Sequence, residues 1–214
     1  RGLTPRERMT ERFCALCAQE TPHSLPDQKF ACVRTVTDLP DVLTEAEWAD
    51  IRSRCFIHEL GYISNLSPDY ASVIRAGLLE AKKNCDAASA RSADALLALA
   101  VRYREEAERE GREDIAATLA RVPAYGAETL REALQFLRIL HWALWAEGEY
   151  HNTLGRFDVY MKPYYEHDLA AGILTEEDAY ELICDFFLDC NIDSDQYPGI
   201  QPGDNGQSMM LGGT

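Results

Sequence analysis

The sequence predicts a mainly helical protein, and three observations carry that prediction. Six segments open on helix-capping residues and continue with apolar side chains three or four apart, while only two short stretches read as strands. A hydrophobic share of 46% beside 27% charged residues belongs to a chain that can bury a core, which excludes disorder over most of its 214 residues.

The elements follow in order. Thr4-Pro5-Arg6-Glu7 offers a capping hydroxyl, a proline at the first helical position and a glutamate three residues after the cap. Cys14 and Cys17 fall one turn apart on that helix and read as a buried pair. Cys32-Val33-Arg34-Thr35-Val36 alternates and reads as a short strand. Thr44-Glu45-Ala46-Glu47 repeats the cap ahead of Trp48, Ile51 and Cys55. Ser67-Pro68-Asp69 starts a helix with Tyr70, Val73, Ile74 and Leu78 on one face, and Ser92 opens a run through Leu96, Leu97 and Leu99 that stops near Gly111. Thr129-Leu130-Arg131-Glu132 caps the most apolar helix, which carries apolar residues on more than one face and is therefore expected to be buried on several sides.

Beyond it, Phe157, Tyr160, Tyr164 and Tyr165 form an aromatic packing stripe in which Pro163 should kink the helix or begin a new turn. Arg156 and Asp158, two apart, would not face each other on a helix and are expected to bond elsewhere. Thr175-Glu176-Glu177-Asp178 caps a last helix through Leu182, Ile183, Phe186 and Phe187. Residues 193–207 are rich in Gly, Pro, Asp and Asn and read as a long loop. Ser208-Met209-Met210-Leu211 then reads as a buried strand whose partners lie outside the sequence. A strand cannot satisfy its backbone groups alone, so the chain is expected to be the N-terminal part of a longer polypeptide.

Charge narrows the function. With 21 Lys and Arg against 36 Asp and Glu the net charge is −15, which argues against nucleic acid and anionic membranes as partners. No apolar run approaches the roughly 20 residues needed to cross a bilayer, and no apolar leader opens the chain. Seven cysteines, an odd number, suit a reducing cytoplasm better than a disulfide framework.

Among residues able to carry chemistry, Cys14-x-x-Cys17 lacks a second ligand pair at zinc spacing and is better explained by helix packing. Cys55, Cys184 and Cys190 read as small core side chains, His141 as a satisfied core group and His167 as solvated. His151 differs. It follows Glu147-Gly148-Glu149-Tyr150 at the end of the buried helix and precedes Asn152 and Thr153. A buried helix ending in such groups is a reasonable place for a pocket, because a small polar substrate needs both donors and acceptors.

Together, several segments resemble the glycyl radical enzymes of the pyruvate formate-lyase type. The resemblance rests on the stretch from Leu154-Gly155-Arg156-Phe157-Asp158 through Lys162-Pro163-Tyr164-Tyr165-Glu166 to Gly172-Ile173-Leu174-Thr175-Glu176-Glu177. Three further segments fall in family order: Ser67-Pro68-Asp69-Tyr70; Arg121-Val122-Pro123-Ala124 running into Thr129 to Gln135; and Asn205-Gly206-Gln207-Ser208 through Gly213. It treats residues 1–214 as part of one domain, with 1–60 a divergent lead-in and 61–214 the family-like helical and first-strand region.

That resemblance implies a ten-stranded α/β barrel wrapped by helices, of which this chain supplies mostly outer helices and the first strands. It also implies a glycyl radical and a thiyl-forming cysteine that meet inside the barrel, both outside this chain. The chain alone is then expected to bind no cofactor and to be inactive. His151 and Asn152 fall where dehydratase-like members set a His and a small polar residue against substrate hydroxyls, and Asn65 stands where those members often carry His. His151 is expected to act as general acid, with Asn152 and Asn65 orienting the substrate. A dehydratase or lyase acting on a small polar metabolite is favoured over formate acetyltransferase-like acyl transfer. The family further implies a radical S-adenosylmethionine activating enzyme as partner and admits a homodimer. Outside the resemblance, a non-catalytic helical interaction protein and a metal-binding helical protein using Cys14, Cys17 and a histidine are the competing readings.

Overall fold

The most apolar stretch of the chain becomes its central helix. The computed structural model describes residues 2–36, 41–55, 66–146, 152–195 and 208–212. In chain order these form α1 (Pro5–Gln19), α2 (Glu45–Arg54), α3 (Tyr70–Ala76), α4 (Leu78–Ala81) with a 3-10 turn after it, α5 (Ala87–Arg109), α6 (Glu113–Arg121), α7 (Leu130–Ala146), β1 (Thr153–Gly155), α8 (Phe157–Ala170), α9 (Glu176–Asp195) and β2 (Ser208–Met209). Helix α7 packs against α3, α6, α8 and α9. Ala133, Leu134, Phe136, Leu137, Ile139 and Trp142 are all buried, as expected of a helix with more than one apolar face. Each large side chain so buried contributes about 1.5–3 kcal/mol.

Four of the six capping patterns form as read. Thr4 and Glu7, Thr44 and Glu47, Thr129 and Glu132, and Thr175 and Asp178 each exchange side-chain and backbone hydrogen bonds across the first turn. The other two helices are capped differently. Asp69 accepts from Ser72 N at 3.1 Å and starts α3, while Asp86 accepts from Ala88 N and Ser89 N at 3.0 Å and starts α5 at Ala87 rather than Ser92. The turn from Ala87 to Ala90 has helix-forming residues but no apolar stripe, so periodicity becomes visible only further along. Gly126 admits a close crossing of α3, because a Cβ there would sit 2.1 Å from the Arg75 carbonyl oxygen.

Three expectations are corrected. Residues 32–36 are not a strand. Cys32 has φ +82°, which breaks an extended ladder, and side chains take the place of a neighbouring strand. Gln135 accepts from Ala31 N at 2.7 Å and donates to Ala31 O at 3.2 Å; Arg138 donates to Cys32 O at 2.6 Å; Tyr103 accepts from Val33 N at 3.0 Å and donates to Val33 O at 2.9 Å. Secondly, β2 finds a partner within the chain and is not buried: it pairs in parallel with β1, and Met210 and Leu211 beyond it are each 64% exposed. The flanking glycines and apolar run resemble a core strand, but burial depends on what covers the sheet. Thirdly, Cys55 is exposed and Cys14 and Cys184 are only half-buried; Cys17 and Cys190 alone of the residues read as core cysteines are buried. Helix α8 runs continuously through Pro163.

No barrel is present among the described residues, whose architecture is mainly helical. None of their helices is long and apolar enough to cross a membrane.

Candidate functional site around the start of the first strand

The region singled out by sequence begins where α7 ends. His151 and Asn65 lie outside the described residues. Asn152 is fully buried and leads into β1. The backbone N–H of Thr153 donates to the Leu66 carbonyl at 3.0 Å. Leu66 directly follows Asn65, and Thr153 directly follows Asn152, so one bond ties together the two segments that carry the sequence-selected residues.

Strand β1 is held on its other sides as well. Tyr160, on α8, donates its hydroxyl to the Leu154 carbonyl at 2.8 Å. Thr153 Oγ1 accepts from Gly155 N at 2.9 Å, closing a tight bend in which Gly155 takes φ +60°. Gly155 O in turn accepts from Met210 N at 2.9 Å, and Asp158 Oδ2 accepts from Gly212 N at 2.9 Å.

Behind the strand lies a buried polar layer. The Tyr70 hydroxyl stands 3.4 Å from His141 Nδ1, and the Tyr70 and Tyr160 ring centroids are 6.4 Å apart. His141 is thus the core group its position on α7 implies. Burial pushes both phenols above their ordinary range; the neighbouring Cys190 adds to this at Tyr70, and Tyr70 and then Cys190 add to it at Tyr160. Neither tyrosine is thereby a base at neutral pH, and both serve as hydrogen-bonding walls.

Arg156 and Asp158, expected to bond apart from each other, form a two-point pair instead. Arg156 Nε lies 3.1 Å from Asp158 Oδ1 and Nη2 lies 3.3 Å from Oδ2. The i, i+2 rule assumes both residues are helical, whereas Arg156 is the residue before α8, with φ −86° and ψ 62°, and its side chain swings across the first turn. Arg156 first and the Gly212 N–H second hold the Asp158 carboxyl below its usual range. His167 is exposed as read, yet its Nδ1 lies 2.9 Å from Asp168 Oδ1. Asp168 escaped the sequence reading: it is buried and accepts the Leu130 N–H at 2.8 Å, capping α7 from another helix. No local spacing signals a cap separated from its helix by that length of chain.

Elsewhere, an open groove of about 660 Å³ runs between α8 and α9, floored by Phe157, Met161, Ala179 and Ile183. Among the described residues no group of three or more His, Cys, Asp or Glu could hold a metal ion, and Cys14 Sγ points at the Arg91 carbonyl, 3.9 Å away.

Comparison with known proteins defines the class. The pyruvate formate lyase-like family model matches residues 46–214. The chain belongs to that family of glycyl radical enzymes. Among characterised relatives it is 33% identical over 109 residues to trans-4-hydroxy-L-proline dehydratase of Clostridioides difficile, a match covering 45% of this chain and 14% of that protein. Among solved structures it superposes on a Roseburia inulinivorans protein described for 1,2-propanediol dehydration with a TM-score of 0.78 and 21% identity, covering 99% of this chain and 37% of that one. The glycerol-bound B12-independent glycerol dehydratase from Clostridium butyricum gives a TM-score of 0.76 and 16% identity, covering 99% and 38%. The chain therefore spans well under half the length of each.

Proposed function

We propose that this chain forms the hydroxyl-binding side of a glycyl radical dehydratase that removes water from a small polyhydroxylated or hydroxylated metabolite. The observation that carries the reading is the Thr153–Leu66 backbone bond, which draws the flank of Asn65 against the flank of His151 and Asn152, beside a fully buried Asn152. Family membership and the dehydratases among its relatives support the reaction class.

In this reading His151 donates a proton to the departing hydroxyl as the C–O bond breaks, so that water leaves rather than hydroxide. Asn152 and Asn65 each offer an amide N–H and a carbonyl oxygen, enough to fix two neighbouring hydroxyls of one substrate. Burial of Asn152 keeps these hydrogen bonds away from competing water. The glycyl radical and its partner cysteine supply hydrogen-atom abstraction, and we assign both to residues outside this chain, within the ten-stranded barrel that the helices would wrap. Residues 1–60 then precede the family-like region at 61–214 as a lead-in. An activating enzyme of the radical S-adenosylmethionine class and a homodimer belong to the same proposal, as does a cytoplasmic setting.

The test is a substrate panel with the complete, activated protein under anaerobic conditions. Water loss from 1,2-propanediol, glycerol or trans-4-hydroxy-L-proline, detected as the dehydrated product, is the expected result. Turnover of pyruvate with coenzyme A, and of none of the hydroxylated compounds, would replace this reading with acyl transfer.

A further inference from the structure

The register of β2 needs an explanation that burial does not provide. Among the described residues the β1–β2 ladder has two paired positions, Thr153 with Ser208 and Gly155 with Met209, and an irregularity falls between them. So short a ladder is weak in water, and a slip of one residue would turn each β2 side chain to the opposite face. Apolar burial normally forbids such a slip, yet Met210 and Leu211 remain mostly exposed. Among the described residues, two bonds just past the ladder hold it: Met210 N–H to Gly155 O and Gly212 N–H to Asp158 Oδ2, both 2.9 Å.

We propose that Asp158 is a positioning residue for β2: its carboxylate, gripped by Arg156, sets the register in which residues 208–212 lie along β1. An acid at the second position of a helix ordinarily serves that helix's own first-turn N–H groups. Here Arg156 and the Gly212 amide act on the carboxylate ahead of the Val159 amide of its own first turn. Both oxygens are engaged by Arg156, and Oδ2 also takes the Gly212 amide from a segment more than fifty positions away. Arg156 restrains the carboxylate through both oxygens, and the charge strengthens the bond to the glycine amide beyond that of a neutral pair. Slipping β2 by one residue would present a different amide to Asp158 and would break the Met210–Gly155 bond as well. Gly212, at φ +71°, adopts the turn that brings its N–H to Asp158 at low cost. The latch sits at one end of β1 and Asn152 at the other, so a fixed register also fixes what lies beside the proposed substrate-binding residues. That last link alone rests on the dehydratase reading.

Hydrogen exchange read by mass spectrometry tests the assignment without substrate or turnover, so its failure and the failure of the dehydratase reading are separate events. Asp158→Ala should speed exchange in peptides covering 208–212 by about tenfold, the effect expected on losing a charge-assisted bond, with peptides of α7 unchanged. Arg156→Gln leaves the carboxylate present but ungripped and should move the same peptides in the same direction by a smaller factor. In the unmodified chain the protection of 208–212 should fall on acidification as Asp158 protonates, and Asp158→Asn should abolish that dependence. Lys162 and Glu166 on α8 and Glu176 and Glu177 on α9 share the groove with Asp158 and are retained in every variant, so a changed acid response reports on Asp158 itself. Unchanged exchange at 208–212 in both Asp158→Ala and Arg156→Gln, or a loss seen only together with loss across α7, would overturn the assignment.

Discussion

Among single residues, the polar side chains inside the apolar core complete the hydrogen bonding of the backbone buried beside them. Gln135 is fully buried on α7 and satisfies both backbone groups of Ala31, while Arg138 and Tyr103 serve the next two residues. A buried backbone group left without a partner costs about 1–3 kcal/mol. Gln135→Leu keeps the volume nearly constant but orphans one donor and one acceptor, so equilibrium urea unfolding should report a loss of about 2–4 kcal/mol. A loss below about 0.5 kcal/mol would mean that water replaces the amide there. Sequence pattern does not reach this arrangement, because Gln135 and Ala31 are far apart along the chain and no period links them. His141 was legible for the opposite reason: its place within a helix apolar on several faces already implies burial.

At the scale of elements, the boundaries that depend on a few adjacent residues were readable and those that depend on distant ones were not. The Thr44–Glu47 box is an example of the first kind. Its glutamate has a second role that the sequence hides, since Arg8 Nη1 and Nη2 reach Glu47 at 2.9 and 2.7 Å and tie α1 to α2. The Arg8 guanidinium first, and then the Thr44 backbone and hydroxyl, lower the Glu47 carboxyl from 4.5 to about 2. A carboxylate depressed on folding adds stability that is complete above its unfolded value and disappears as pH falls through its folded value. Attachment of α2 should therefore persist above pH 4.5 and weaken between 4.5 and about 2. Exchange of the 45–54 amides followed across that range checks it: Glu47→Gln should already be weakened at pH 6 and lose the acid step. A Glu47→Gln profile identical to that of the parent chain would remove the pair from the account. By contrast, the strand predicted at 32–36 failed because alternation marks extended backbone, not the partner that satisfies it.

At the scale of the whole molecule, the order of family-like segments was legible and their meeting was not. Ser67 to Tyr70 and Leu154 to Asp158 could be recognised separately, but only the fold joins them, through Leu66 and Thr153. The described residues are mainly helical, with a two-stranded parallel sheet beyond which Met210 and Leu211 are exposed. That arrangement suits a wrapping layer with its first strands in place, and it sets the buried Asn152 directly ahead of β1. In the proposed reaction His151 delivers a proton to the leaving hydroxyl. The direct measurement is the dehydration rate of the complete, activated protein with His151→Ala, at saturating substrate and with radical content matched to the parent. The rate should fall by about two to four orders of magnitude; an unaltered rate would remove His151 from the reaction.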